Sequence, residues 1–145
     1  MSRKRISKRV RERVSQEAKF RCGYCLSSEA VVGAPMEIDH LTPVSLGGSD
    51  EQENLWLACS LCNDSKSNRI AALDPTTGQF AMLFNPRFDV WSENFRWNET
   101  SDRIIGLTPS GRATVLALRL NRATLVAARK LWVVAGWHPP GETSD

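Results

Sequence analysis

Cys22-Gly23-Tyr24-Cys25 and Cys59-Ser60-Leu61-Cys62, separated by residues 26–58, enclose the run Glu37-Ile38-Asp39-His40, and this arrangement decides the fold. Two thiolates spaced by two residues ligate one metal from a tight knuckle. Two such knuckles supply the four sulfurs of a closed tetrahedral zinc site, with bonds of about 2.3 Å. The chain has four cysteines and all four lie in these pairs. The 33 residues between them exceed the roughly 15–20 of a plain zinc ribbon, so the intervening segment is a structural insert with its own work. Two disulfides would ask for an oxidising compartment, and a thioredoxin-like redox protein for a βαβ setting. The sequence opens on no signal-peptide pattern, and neither pair lies near a clear βαβ pattern. Structural zinc on Cys22, Cys25, Cys59 and Cys62 is the expectation, with a thiol redox protein as the competing class.

The order of the remaining residues carries a resemblance. Cys22-x-x-Cys25, then Asp39-His40-Leu41-Thr42-Pro43-Val44-Ser45-Leu46-Gly47-Gly48, Asn54-Leu55, and Cys59-x-x-Cys62-Asn63-x-x-Lys66 closely resemble the HNH endonucleases of bacterial and phage type. The resemblance covers about residues 18–70 and implies an α+β fold, the ββα-metal finger, stapled by a four-cysteine zinc site. The stretch from Leu83 to Pro140 also looks like an extension carried by one group of bacterial HNH proteins. The chain is thus expected to divide into a basic arm and helix (1–17), a nuclease core (18–74), a helical C-terminal extension packed on it (75–138) and a tail (139–145).

Hydrolysing a phosphodiester requires a base to activate water, a cation to neutralise phosphoryl charge, and a means of stabilising the departing 3′ oxygen. Asp39, His40 and Asn63 can supply the protein's share. In an extended strand neighbouring side chains point to opposite faces, so Asp39 and His40 can serve a cation and an attacking water separately. The family resemblance implies this division: His40 as general base, Asp39 and Asn63 as ligands of one catalytic divalent cation. An imidazole at its reference pKa of about 6.5 is substantially neutral near physiological pH and accepts a proton. A carboxylate and an amide oxygen suit Mg²⁺ or Mn²⁺ rather than zinc. The resemblance also places Asn54 among the catalytic residues as an amide bracing the loop and strand that carry His40. Lys66 is a candidate phosphate contact. His138, the second histidine, has no such context and reads as structural or terminal.

The charge is uneven. Arg3, Lys4, Arg5, Lys8, Arg9, Arg11 and Arg13 face Glu12 alone in the first thirteen residues, a local +6 within a chain total of +3. Such an arm favours polyanions, and together with the resemblance it implies DNA, in double-stranded form, as the expected partner. Arg87, Arg96 and Arg112 are further candidates for phosphate. No apolar run reaches transmembrane length, so a cytoplasmic protein with no membrane partner is expected. The functional expectation is an HNH endonuclease that hydrolyses or nicks DNA; the alternative is a zinc-stabilised nucleic-acid-binding module without cleavage.

The expected elements are a helix over 6–20, strands over 36–40 and 54–58 joined by a loop over 43–50, and a helix over 63–72 stopped at Asp74-Pro75. Beyond it come an aromatic group of Trp91, Phe95 and Trp97, a strand over 103–107, and helices over 112–120 and 122–134. Asn121 is the expected N-cap of the last, and Leu125, Ala128 and Trp132 recur at core spacing.

Overall fold

The structure, a computed structural model, describes residues 6–141. Helix α1 (Lys8–Glu17) begins where the Ser7 hydroxyl accepts from Val10 N–H at 3.2 Å, and it buries Val14 while its charged side chains stay outside. The chain leaves it through Lys19 and Phe20, both at positive φ, into the first knuckle. There Gly23 N–H donates to Leu57 O at 2.9 Å. A Cβ on Gly23 would collide with the Trp56 ring, so only glycine lets the knuckle lie this close. The one-turn helix α2 (Glu29–Val32) leads to strand β1 (Glu37–His40).

Strand β1 pairs antiparallel with β2 (Leu55–Ala58), Asp39 opposite Trp56 and His40 opposite Leu55. Leu55, Leu57 and Ala58 are buried in the core. Helix α3 (Ser60–Lys66) then packs on the hairpin, with Cys59 as its N-cap: the Cys59 sulfur lies 3.4 Å from Cys62 N–H. The ββα finger expected from the sequence is therefore present.

Helix α3 ends at Lys66, not near residue 72. Ser67 at φ 55° breaks it, and Ala71–Leu73 (β3) instead pairs with Phe80–Met82 (β4) in a hairpin that the sequence reading lacked. Asp74-Pro75 is the turn of that hairpin. Its geometry comes from Asp74, which accepts from Thr76 N–H and from the Thr77 hydroxyl at 3.0 Å each.

The extension follows as the single turn α4 (Trp91–Asn94), the hairpin β5 (Phe95–Trp97) and β6 (Ile104–Gly106), and helices α5 (Pro109–Ala117) and α6 (Ala123–Ala135). Helix α5 starts three residues before the expected 112, because Thr108 caps it by accepting from Gly111 N–H at 2.9 Å and Pro109 occupies its first turn. Asn121 is not the N-cap of α6; Arg122 is, and the Asn121 amide instead bonds both Ile104 N–H (2.7 Å) and Ile104 O (2.8 Å). One continuous core runs from Val14 through the four cysteines to Phe95, Leu118 and Leu125, so finger and extension share their interior. Among the described residues no helix is long and apolar enough to cross a membrane.

Arg112, a candidate phosphate contact, is bound in this framework: its Nε and Nη2 donate to the two oxygens of buried Asp74 at 3.0 and 2.9 Å, because the β3–β4 turn abuts α5. Hydrogen bonding from Arg112 holds the Asp74 carboxyl well below the usual carboxylate range. A depressed folded-state pKa adds stability above the unfolded value, which is lost as the pH falls through and below about 4. Asp74→Asn is therefore expected to destabilise the protein at neutral pH and to flatten its acid sensitivity, as denaturant titrations at about pH 7 and about pH 3 will measure.

Candidate active site

Four buried cysteines meet where the two knuckles close on β2. Their sulfurs all lie within 4.8 Å of one another, and Cys25 Sγ is 3.8 Å from Cys59 Sγ. Tetrahedral bonds of about 2.3 Å place sulfurs about 3.8 Å apart, so the set fits one zinc. It is far too open for disulfides, whose sulfurs sit about 2.05 Å apart. Burial pushes the Cys22 thiol well up and hydrogen bonding among the sulfurs raises Cys62, whereas hydrogen bonds from Cys22 lower Cys25 and Cys59.

Beside this centre, β1 presents its alternate faces. Glu37 and Asp39 meet side chains of α3, while His40 turns the other way, to the loop. Asp39 is 2% exposed. Its Oδ1 accepts from Lys66 Nζ at 2.9 Å, and its Oδ2 accepts from the Tyr24 hydroxyl. Burial, reinforced by the Asp39 charge, pushes the Tyr24 hydroxyl well up, so it remains a donor.

His40 Nε2 lies 2.8 Å from Asp50 Oδ1. A carboxylate only accepts, so Nε2 carries the hydrogen and the lone pair of the neutral ring is on Nδ1. Asn54 pins the same loop from below. Its Oδ1 accepts from Thr42 N–H at 2.8 Å, and its Nδ2 donates to Thr42 O (3.0 Å) and Ser49 O (2.8 Å). Gly47 takes φ 90°, and Gly48 passes so close to the Thr42 carbonyl that any Cβ would overlap it.

Residues 22–69 match the HNH endonuclease family. The matched segment contains both knuckles, the β1–β2 hairpin and α3, and its four cysteines form a cluster that fits a metal. No curated protein and no solved structure matches the chain.

Within the matched segment, one expectation changes. Lys66 is no phosphate contact: it is 2% exposed, and its ammonium donates to Asp39 and to His40 O (3.0 Å), drawn inward by the buried carboxylate. Asn63, expected as a ligand of the catalytic cation, donates from Nδ2 to Glu37 Oε1 at 2.9 Å, at the edge of a surface cavity of about 560 Å³. Glu37 and Asn63 line that cavity, whereas Asp39 is buried with both oxygens already accepting hydrogen bonds. Sequence reasoning gave no role to Glu37, Tyr24 or Asp50. The i, i+2 spacing of Glu37 and Asp39 on one strand face was the available signal for the first.

Of the basic residues, Lys8, Arg9, Arg11 and Arg13 lie along α1, with Lys8, Arg9, Arg11 and Arg13 exposed, while Arg3, Lys4 and Arg5 lie outside the described residues. Arg87 is committed elsewhere: it grips Glu17 through two bonds of 2.8 and 3.0 Å, donates to Leu55 O and stacks on Trp56, tying α1 to β2. Arg96 is exposed. His138 is structural, buried with Nε2 donating to Ser101 O at 2.9 Å and its ring against Trp97.

Purified protein is expected to carry about one zinc per chain, and Cys59→Ser to lose both metal and fold, because binding energy at a structural zinc site is folding energy; elemental analysis with circular dichroism reads both. Lys66→Met strands the Asp39 charge in the interior, so it destabilises by about 3–5 kcal/mol. Chemical denaturation, set beside an exposed Lys8→Met control, measures the difference.

Proposed function

We propose that this protein is a metal-dependent endonuclease that hydrolyses phosphodiester bonds of DNA, as a nick or a double-strand cut, with His40 as general base. The observation that carries the reading is the His40–Asp50 pair on β1, one residue from a carboxylate on the opposite, α3-facing side. Asp50 accepts the Nε2 hydrogen and so orients the ring, which takes the proton of the water attacking phosphorus. Asn54 keeps the loop closed under the ring. Lys66 and Tyr24 lock the Asp39 carboxylate in place, and Lys66 also holds the His40 carbonyl.

The residues that would hold a catalytic Mg²⁺ or Mn²⁺ are Asp39 and Asn63, with Glu37 beside them. Such a cation, when bound, neutralises charge on the phosphoryl oxygens and on the departing 3′ oxygen. One observation favours the alternative, a nucleic-acid-binding module that does not cut: both oxygens of Asp39 already have donors. A plasmid assay with Mg²⁺, Mn²⁺ and EDTA separates the two, since the binding module leaves the plasmid intact in every lane.

If the endonuclease reading holds, His40→Ala keeps its zinc and its DNA affinity and loses about 10²- to 10⁴-fold in cleavage rate. Asp50→Asn loses less, and Asn63→Ala or Glu37→Gln raises the Mg²⁺ concentration needed for half-maximal rate. Cleavage by His40→Ala at the parent rate removes the histidine from the mechanism. The exposed face of α1 is proposed to meet the phosphate backbone. Each duplex phosphate neutralised adds about 0.9 to the slope of log affinity against log salt, so Lys8→Gln with Arg9→Gln lowers the slope by up to about 2. Parallel salt titrations would take α1 out of the interface.

A further inference from the structure

Helix α6 turns one side chain inward that the nuclease chemistry does not use. Arg129 is fully buried. Main-chain carbonyls hold its guanidinium: Nη1 donates to Asp102 O at 3.1 Å and Nη2 to Leu120 O at 2.7 Å, with Asn121 Oδ1 3.4 Å from Nη1. The Trp97 ring centre lies 5.3 Å from its central carbon. Its Nε–H has no partner, and among the described residues no carboxylate forms an ion pair with it.

A fully buried cation is retained only where something offsets its desolvation, and carbonyl dipoles with a ring face do that in part. The negative charges that act on it are those of Asp102 and of the cysteine sulfurs. Leu125, Ala128 and Trp132, on the turns either side of Arg129, line one cavity together with Cys59, so α6 lies against the second knuckle. Four thiolates around one divalent zinc leave a net charge of about −2 in the same interior. Each site thus carries an excess that the other opposes.

We propose that Arg129 is the buried counter-charge of the tetrathiolate metal site, which makes α6 of the extension a working part of that centre and not merely a cover over it. The electrostatics around the guanidinium agree: burial pulls its pKa down, and the charges that pull it back up are those of Cys25, Cys62, Asp102 and Cys59. Three of the four are sulfurs of the centre. Only metal binding is at stake, so the assignment stands or falls separately from the proposed cleavage chemistry.

A packing role, in which Arg129 only ties the Leu120 and Asp102 carbonyls, makes a different forecast for two variants. Arg129→Lys keeps the charge and loses most of the carbonyl bonds; Arg129→Met loses both at similar bulk. The experiment loads the full chain with zinc and measures its affinity by competition with a chromogenic zinc chelator, using circular dichroism to verify the fold. Partners outside the first ligand shell are worth about 10- to 100-fold in metal affinity. Arg129→Met is therefore expected to bind zinc about 10- to 100-fold more weakly, and Arg129→Lys within about threefold of the parent. Unchanged affinity in folded Arg129→Met, or equal losses in both variants, overturns the proposal. Should the Met chain fail to fold, Arg129→Gln takes its place: a loss of about tenfold or more in zinc affinity in the folded chain upholds the charge assignment, and affinity within about threefold of the parent removes it.

Discussion

The convergence of four sulfurs within 4.8 Å is the constraint on which the rest of the structure rests. The hairpin β1–β2 has four residues per strand and α3 has seven. Neither is long enough to be stable alone: short hairpins and short helices are marginal in water. The knuckles remove that difficulty by fixing both ends of the finger. Cys59 is at once a ligand and the N-cap of α3, and Gly23 in the first knuckle bonds β2 directly. Metal binding and secondary structure are therefore one event, as expected where ligand convergence does not survive unfolding.

A second economy lies in how charge is buried. Asp39 and Lys66 are both 2% exposed, Asp74 and Arg129 are fully buried, and each has a different solution. Asp39 has an ammonium and a phenol, Asp74 a guanidinium and its own turn, and Arg129 a set of carbonyls. Such groups are poor sources of stability compared with apolar replacements. Their persistence in one small core points to geometry: the first pair fixes the strand that carries His40, and the second joins the β3–β4 hairpin to α5.

What was legible in the sequence was local and periodic. Cysteine spacing announced the metal site, the alternation of Glu37-Ile38-Asp39-His40 announced a strand, and α6 showed its core face through Leu125, Ala128 and Trp132. The failures share a cause, namely partners distant in the chain. Lys66 reads as a surface lysine until Asp39, 27 residues earlier, is folded against it. Arg87 reads as a phosphate contact until Glu17, 70 residues away, meets it. Asn121 has the chemistry of an N-cap but gives its amide to Ile104. Ala71-Ala72-Leu73 has no periodicity that separates helix from strand, and only the Asp74 turn, returning the chain to Phe80–Met82, settles it.

Tyr24 explains why the cysteine centre and strand β1 must be built together. It is the only tyrosine in the chain and sits inside the first knuckle, one residue from Cys25. Its hydroxyl donates to Asp39, whose neighbour is His40, while its carbonyl accepts from Trp91 Nε1 at 2.9 Å in the extension. A single residue therefore touches the sulfur frame through its backbone, strand β1 through its side chain, and the second half of the protein through its carbonyl. The knuckle and the Asp39 contact thus share one residue, lying between Cys22 and Cys25. On this geometry the extension is no independent attachment. Trp91 fixes the knuckle from one side as Arg87 fixes β2 from the other, so the short finger is held in register by contacts that its own sequence does not contain.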